Sequence, residues 1–363
     1  MQLFKLLLIF VSSTIYSGQV FADVWQSTLS SYLSEDYSVN PALQPGVSTG
    51  VWLSTVRPGY TLNRTDGDNE IKAVAKLTAV ESSNTALSVD RTDPSVALNW
   101  LRKNDTGEYG ITTKYEQIAT RTAVDTTSQF SADTTQTLRT LSANLSKAFS
   151  EKDTLTANGS YIGSAYNGGG FTNYSTQTAK LNYSHSLNEN VTPSLSLAYT
   201  EMIFTANEPT EHTINPMLAV EWKISQRLDS TLRVGDSLSI IGNTPQFSTL
   251  LNYTGEQTNL TFKADYMTTP SGLGSFLTTG RVNGMVTHGL SEQNSLGLNL
   301  GWNKNFTITN DSYGTIDTWL QHQFNVFWTV KTHFTHNIHE GVGLGSASSN
   351  IIGVSLNYTG SEF

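Results

Sequence analysis

The chain has 363 residues, of which 37% are hydrophobic and only 14% charged, with a formal net charge of -9. Soluble domains carry roughly 25% charged residues and a larger apolar share, so this composition argues against a compact soluble core of this size, and the acidic balance argues against nucleic-acid partners, which need a basic patch. There is no cysteine, which excludes disulfides, zinc–thiolate sites and thiol nucleophiles.

The N-terminus reads as a secretory signal: Lys5 at the positive end, Leu6 to Val11 as the apolar centre, and Val20-Phe21-Ala22 as the small-x-small cleavage pattern. Residues 1–22 are therefore expected to be removed, with Asp23 as the first mature residue. The apolar stretch is too short for the ~20 residues of a spanning helix. Residues 23–363 then read as one domain.

Gln26 to Ser38 is the first strand candidate, with poor alternation, followed by a loop from Ala42 to Gly50. From there the chain is punctuated by short polar turns: Asp66-Gly-Asp-Asn69, Asn104-Asp-Thr-Gly107, Ser150-Glu-Lys-Asp153, Leu187-Asn-Glu-Asn190, Ser225 to Asp229, Thr254-Gly-Glu-Gln257 and Leu290 to Asn294. Gly and Asn accept positive φ, while Asp and Ser bond their own backbone. The spacing places an eighth, apolar turn in Phe324-Asn-Val-Phe-Trp328. Each turn is flanked by alternating segments. Val191, Pro193, Leu195, Leu197 and Tyr199 fall on one side of a strand, and Thr192, Ser194, Ser196 and Ala198 on the other. Ile71 to Ala79, Leu141 to Phe149 (interrupted by Lys147), Ile214 to Ile224, Leu260 to Tyr266, Leu296 to Trp302 and Ile352 to Tyr358 repeat the pattern. Longer connections are expected over 121–135, 167–170, 206–212 and 337–349.

One greasy and one wet face, recurring along the whole chain, fit a transmembrane antiparallel up-and-down β-barrel with lipid outside and water inside. Eight short turns join sixteen strands. The segment 350–358 needs Gln26 to Ser38 as its closing partner, which makes eighteen; sixteen is the next best count. Such a barrel belongs in a bacterial outer membrane, in contact with its lipid. Trp100, Phe149, Tyr183, Trp222, Tyr253, Phe324, Phe327 and Trp328 lie near the short turns and read as the periplasmic aromatic girdle.

The wet face carries the candidate pore-lining residues Lys72, Lys76, Asn99, Lys114, Glu116, Asn144, Lys180, Glu221, Lys223, Arg233, Lys263, Asp265 and Arg281. A Lys/Arg-rich polar lining attracts anionic solutes or an acidic glycan; the plainer reading is that the charges pair along the wall and solvate it. His333, His336 and His339 recur at every third position, but on a strand that spacing alternates faces, so no metal site is expected. No cofactor site is read either. Gly272-Leu-Gly-Ser275 is loop-like and lacks the strand-to-helix context of a nucleophile elbow, so no catalytic residue is assigned.

The segment Ser34-Glu-Asp-Tyr-Ser-Val-Asn-Pro41, the segment Leu53 to Leu62 and hairpins of the Leu181-Asn-Tyr-Ser184 type give the chain a resemblance to outer-membrane β-barrels encoded with exopolysaccharide and exosortase gene clusters. That resemblance implies a channel for export or assembly of a surface polysaccharide, with the polysaccharide and a periplasmic export component as partners. The alternatives are a small-solute diffusion porin and a surface-glycan anchoring or adhesion barrel. Barrels tend to end in an aromatic residue that the assembly machinery reads. Phe363 supplies one, but it is out of phase with Ile352, Val354, Leu356 and Tyr358, so either a bulge restores the phase or the strand closes at Tyr358.

Overall fold

The computed structural model describes residues 25–120, 134–168, 170–205, 210–239, 242–307, 310–341 and 345–360. They form eighteen strands in chain order: β1 (Trp25–Val39), β2 (Gly50–Asp66), β3 (Asn69–Ser82), β4 (Arg91–Asn104), β5 (Gly107–Ala119), β6 (Thr135–Ala148), β7 (Asp153–Asn167), β8 (Tyr174–His185), β9 (Val191–Phe204), β10 (Glu211–Ser225), β11 (Leu228–Ser239), β12 (Gly242–Thr254), β13 (Thr258–Ser271), β14 (Ser275–Gly289), β15 (Asn294–Asn305), β16 (Ser312–Gln323), β17 (Trp328–Gly341) and β18 (Gly345–Thr359). The expected signal segment, most of the 121–135 connection and Phe363 lie outside the described residues.

Every strand pairs antiparallel with its sequence neighbour, and β18 pairs with β1. Closure removes the free edges that lipid does not tolerate. The weakly alternating N-terminal segment is the closing strand: Ser30 to Val39 run opposite Thr359 to Asn350 without a register shift. The β17–β18 register is also unbroken, from Trp328↔Tyr358 to Gly341↔Gly345. No bulge alters the phase of the last strand, which ends one residue beyond Tyr358.

The short turns fall where the turn residues stand, and side chains build them. Asn188 Oδ1 accepts from the backbone N–H of Asn190 and Val191, both at 2.9 Å. The apolar eighth turn works the same way: Asn325 Oδ1 accepts from Phe327 N–H at 2.9 Å and Trp328 N–H at 3.0 Å. The long connection expected over 337–349 is instead mostly strand, with Asn337 opposite Ser349 and Glu340 opposite Ser346. A polar, Gly- and Ser-rich stretch hides its alternation, yet the ladder runs as far as the Gly341–Gly345 pair.

Residues directly opposite each other in an antiparallel pair share a face. The odd-numbered apolar set of β9 therefore continues onto Ile214, Pro216, Leu218 and Val220 of β10. This band is on the outside: Leu197 is 52% exposed and Leu218 60%. For a barrel that surface is lipid-covered. Trp100, Tyr183, Trp222, Tyr253 and Trp328 sit on it close to the short turns. A second outward aromatic set lies further along the strands, toward the long-loop ends: Tyr115, Tyr161, Tyr199, Trp302 and the Tyr37–Trp52 pair, whose ring centroids are 5.1 Å apart. Only the first girdle is legible in the sequence, because the second is not anchored to a recognisable turn.

Candidate functional site: the lumen and its inward hairpin

The inner face is set by the same register. Lys72 stands opposite Asn99 and Asn63, and Lys76 opposite Ser95 and Gly59. Lys114 and Glu116 stand opposite Ala97 and Ser95, and Asn144 opposite Gly110. Lys180 faces Asn158 and Ala198. Glu221, Lys223 and Arg233 face Thr231, Asp229 and Ala219. Lys263 and Asp265 face Asn283 and Arg281. All are on the face opposite the apolar band. That this face is enclosed follows from a cavity of about 980 Å³ lined from many sides of the wall, including Leu53 of β2, Glu116 of β5, Ile162 of β7, Lys263 of β13 and Ile351 of β18.

Charges on this face are partly paired. Lys114 Nζ is 2.7 Å from Glu116 Oε1, and Arg91 Nε is 2.6 Å from Asp93 Oδ2. Asp265 is buried, with only 1% of its side chain exposed, and holds two cations: Lys263 Nζ at 3.2 Å and Arg281 Nε at 3.1 Å. A carboxylate this enclosed persists because two positive groups offset its lost hydration. The trio keeps one net positive charge, turned toward the cavity. Lys72, Lys76, Lys180 and Arg233 form no ion pair among the described residues.

The histidines separate as strand geometry requires. His333 and His339 lie on the inner face, opposite Trp319 and Tyr313, while His336 lies on the outer face opposite Ile316. His333 Nε2 approaches Asp36 Oδ1 at 3.4 Å. The two meet across Gly353, which pairs with both; a Cβ at that position would run into the Asp36 carboxylate.

The feature that shapes the lumen is the β13–β14 hairpin. Its tip does not stand up from the rim but folds across to β7–β10. Thr172 N–H donates to the Gly272 carbonyl at 2.8 Å, and Phe276 N–H donates to Glu211 Oε2 at 3.3 Å. Phe276 joins Tyr166, Tyr174, Met202 and Phe204 in a buried cluster, with Phe171 packed against it. Leu277 is fully buried. Gly272 is required at the tip because a Cβ there would lie 2.6 Å from the Tyr166 hydroxyl oxygen. That hydroxyl is itself fixed by Gln136 Nε2, 3.0 Å away. Thus Gly272-Leu-Gly-Ser275 is a docking tip. A second inward element is the β1–β2 loop: Leu43 packs on Ala347 with Tyr313 alongside, and Asn40 Nδ2 donates to the carbonyls of Gln44 and Ser348, both at 2.9 Å.

Hairpin and loop both border the cavity, through Thr269 and Pro270 on one side and Pro41 and Leu43 on the other. Opposite the Lys263–Asp265–Arg281 trio the cavity wall includes Leu53, Ile118, Leu138, Ile162 and Ile351. Alternation along the strands does not reveal this arc on the wet face. These residues were individually visible in the alternation, but only the closed ring brings them together.

A closed up-and-down barrel of eighteen antiparallel strands, with an apolar outer band and an enclosed charged lumen, is an outer-membrane β-barrel of porin architecture. Solved structures share this fold. The outer membrane protein OpdK from Pseudomonas aeruginosa superposes with a TM-score of 0.54 at 9% identity, covering 94% of this chain and 100% of that chain. OccAB2 from Acinetobacter baumannii gives 0.52 at 13% identity, covering 94% and 99%. The siderophore receptor PirA from the same organism gives 0.52 at 6% identity, covering 94% and 81%. No protein-family profile and no curated protein matches the chain.

Proposed function

We propose that the barrel is a passive diffusion channel for small polar solutes, with the docked β13–β14 hairpin as its size filter. The observation that carries this is the hairpin itself, tied to β7–β10 by a backbone hydrogen bond from Thr172 to Gly272, a bond from the Phe276 N–H to the Glu211 carboxylate, and a buried, mainly aromatic cluster. An eighteen-stranded wall alone encloses a wide aqueous bore. A segment packed across it leaves room for small molecules and obstructs a polymer. The cavity beside the hairpin sets Leu53, Ile118, Leu138, Ile162 and Ile351, with Glu116 among them tied to Lys114, against a net-positive trio, a pairing that suits a solute with an apolar body and one anionic group. OpdK has been solved with vanillate, a small aromatic carboxylate of that kind.

A second reading is passage of an exported surface polysaccharide, handed over by a periplasmic export component. It is supported by the resemblance noted above and by inner-face hydroxyls and amides such as Asn99, Ser142, Asn144 and Thr178, which can replace sugar hydration. It requires the hairpin to move.

Liposome swelling with the purified barrel separates the two. Monosaccharides and small carboxylates such as benzoate are expected to enter, and oligosaccharides to be retarded. A variant lacking 271–275 is expected to admit the oligosaccharides. Equal entry of monosaccharides and long dextrins into liposomes carrying the intact barrel would overturn the filter. Absence of swelling with every solute would overturn the channel.

A further inference from the structure

We infer that Trp319 is the floor of a saccharide-binding station on the inner wall, suited to a pyranose ring that carries a carboxylate. The station spans β15, β16 and β17. Trp319 stands on the inner face opposite Gly297 and His333. A Cβ at Gly297 would run into the indole, so the ring lies over the glycine, against the wall. Lys331 Nζ is 4.9 Å from the centroid of that ring. One inward position toward the long loops, Asp317 binds both its partners by register: Asn299 Nδ2 donates to Oδ2 at 2.9 Å and Thr335 Oγ1 donates to Oδ1 at 2.7 Å. One inward position toward the short turn, Gln321 stands opposite Ser295 and Lys331. Inward positions on a strand are about 7 Å apart, so the two polar rows flank the indole about 14 Å from each other. Neither Trp319 nor Lys331 borders the cavity beside the hairpin, but Thr315, the next inward residue beyond Asp317, does. The station therefore continues the lumen from that cavity toward the short turns.

A pyranose matches this arrangement. Its ring presents an apolar C–H face, and its rim carries hydroxyls. Laid on the indole, the C–H face leaves water for an apolar surface, and polar groups around such a surface fix the ligand's orientation. The two ends differ in charge. Asp317 and Asn299 offer acceptors to sugar hydroxyls. Lys331 offers a cation that takes a carboxylate in a charge-assisted hydrogen bond. Its inner-face neighbours are Gln321, Ser355, Thr329 and His333, so no carboxylate stands beside it. Lys331 makes no hydrogen bond or ion pair among the described residues. Its flexible stem lets a carboxylate draw the amine to the edge of the ring while the sugar takes the face. An aromatic acid would use the ring and the amine but leave Asp317 and Asn299 without a ligand hydroxyl; the acidic sugar uses all of them.

The test is saturation-transfer NMR on the intact barrel in a sugar-free detergent. Methyl β-glucuronide, methyl β-glucoside and benzoate are titrated at one ionic strength. Binding is read without conduction, so its outcome is independent of whether the barrel proves to be a channel. The glucuronide is expected to bind about tenfold more tightly than the glucoside, the effect of one hydrogen bond to a charged group. Trp319→Leu is expected to weaken both sugars about tenfold and to leave benzoate unchanged. Lys331→Gln, at the rim of the station, is expected to bring the glucuronide down to the affinity of the glucoside and to leave the glucoside as it was. Glucuronide affinity undiminished in K331Q, or in a folded W319L barrel, would overturn the station. Benzoate weakened by W319L as strongly as the glucuronide would overturn the choice of a sugar.

Discussion

At the scale of single residues, a few side chains do something unusual for their face. Phe276 is buried on the hairpin among Tyr166, Tyr174, Met202 and Phe204, and Phe276→Ala is expected to weaken docking by about 3 kcal/mol, the ordinary cost of emptying an aromatic core position. The readout is a larger and noisier single-channel conductance, since the tip is released while the wall stays closed. An unchanged conductance trace would show that the cluster does not hold the filter. Asp265 is held between Lys263 and Arg281. Asp265→Asn leaves two cations facing each other and is expected to lower the temperature at which the barrel loses its compact, detergent-resistant form. The effect is about 1–2 kcal/mol, below that of a fully buried pair because Lys263 is partly exposed. Much of this residue-level picture was legible in the sequence: Lys72, Lys180, Arg233, Lys263 and Asp265 alternate with greasy neighbours, and period two alone puts them on the wet face. What was not legible is which of them meet. Asp265 touches Arg281 through a pairing set by the turn over 272–274. Contacts across several strands have no signature in a linear pattern.

At the scale of elements, the strands follow from alternation and the short turns from Asn, Asp, Ser and Gly at fixed places. Leu197 and Ala198 are neighbours in β9, one facing lipid and the other the lumen. Leu197→Arg is expected to cost about 2–4 kcal/mol in folding into lipid vesicles, as for a charge near the bilayer midplane. Ala198→Arg is expected to cost far less and to alter conductance instead. Similar penalties for the two variants would deny the two-faced wall. The turn at Asn325 shows how far turn chemistry reads: an apolar stretch turns because one carboxamide accepts two backbone N–H groups. The β13–β14 hairpin shows where it stops. Its tip sequence announces a loop, but its inward course depends on Tyr166 and Glu211 receiving it, and those lie on other hairpins.

At the scale of the whole molecule, closure is decided by the least regular strand. β1 carries Ser27, Ser31 and Glu35 outward among Leu29, Leu33 and Tyr37, a weak hydropathy signal, yet it pairs along its whole length with β2 and from Ser30 to Val39 with β18. Its place followed from counting: sixteen strands from eight turns, and an unpaired final strand. The wall is therefore largely written in the sequence, and the narrowing of its bore largely is not.

On the proposed function a solute path runs through the barrel and is narrowed by the docked hairpin. Single-channel recording in planar bilayers, comparing the intact protein with a variant in which residues 271–275 are deleted, addresses it most directly. The intact barrel is predicted to give small, uniform conductance steps, and the variant steps several times larger. Steps of the same size in both, or a silent membrane with both, would contradict it.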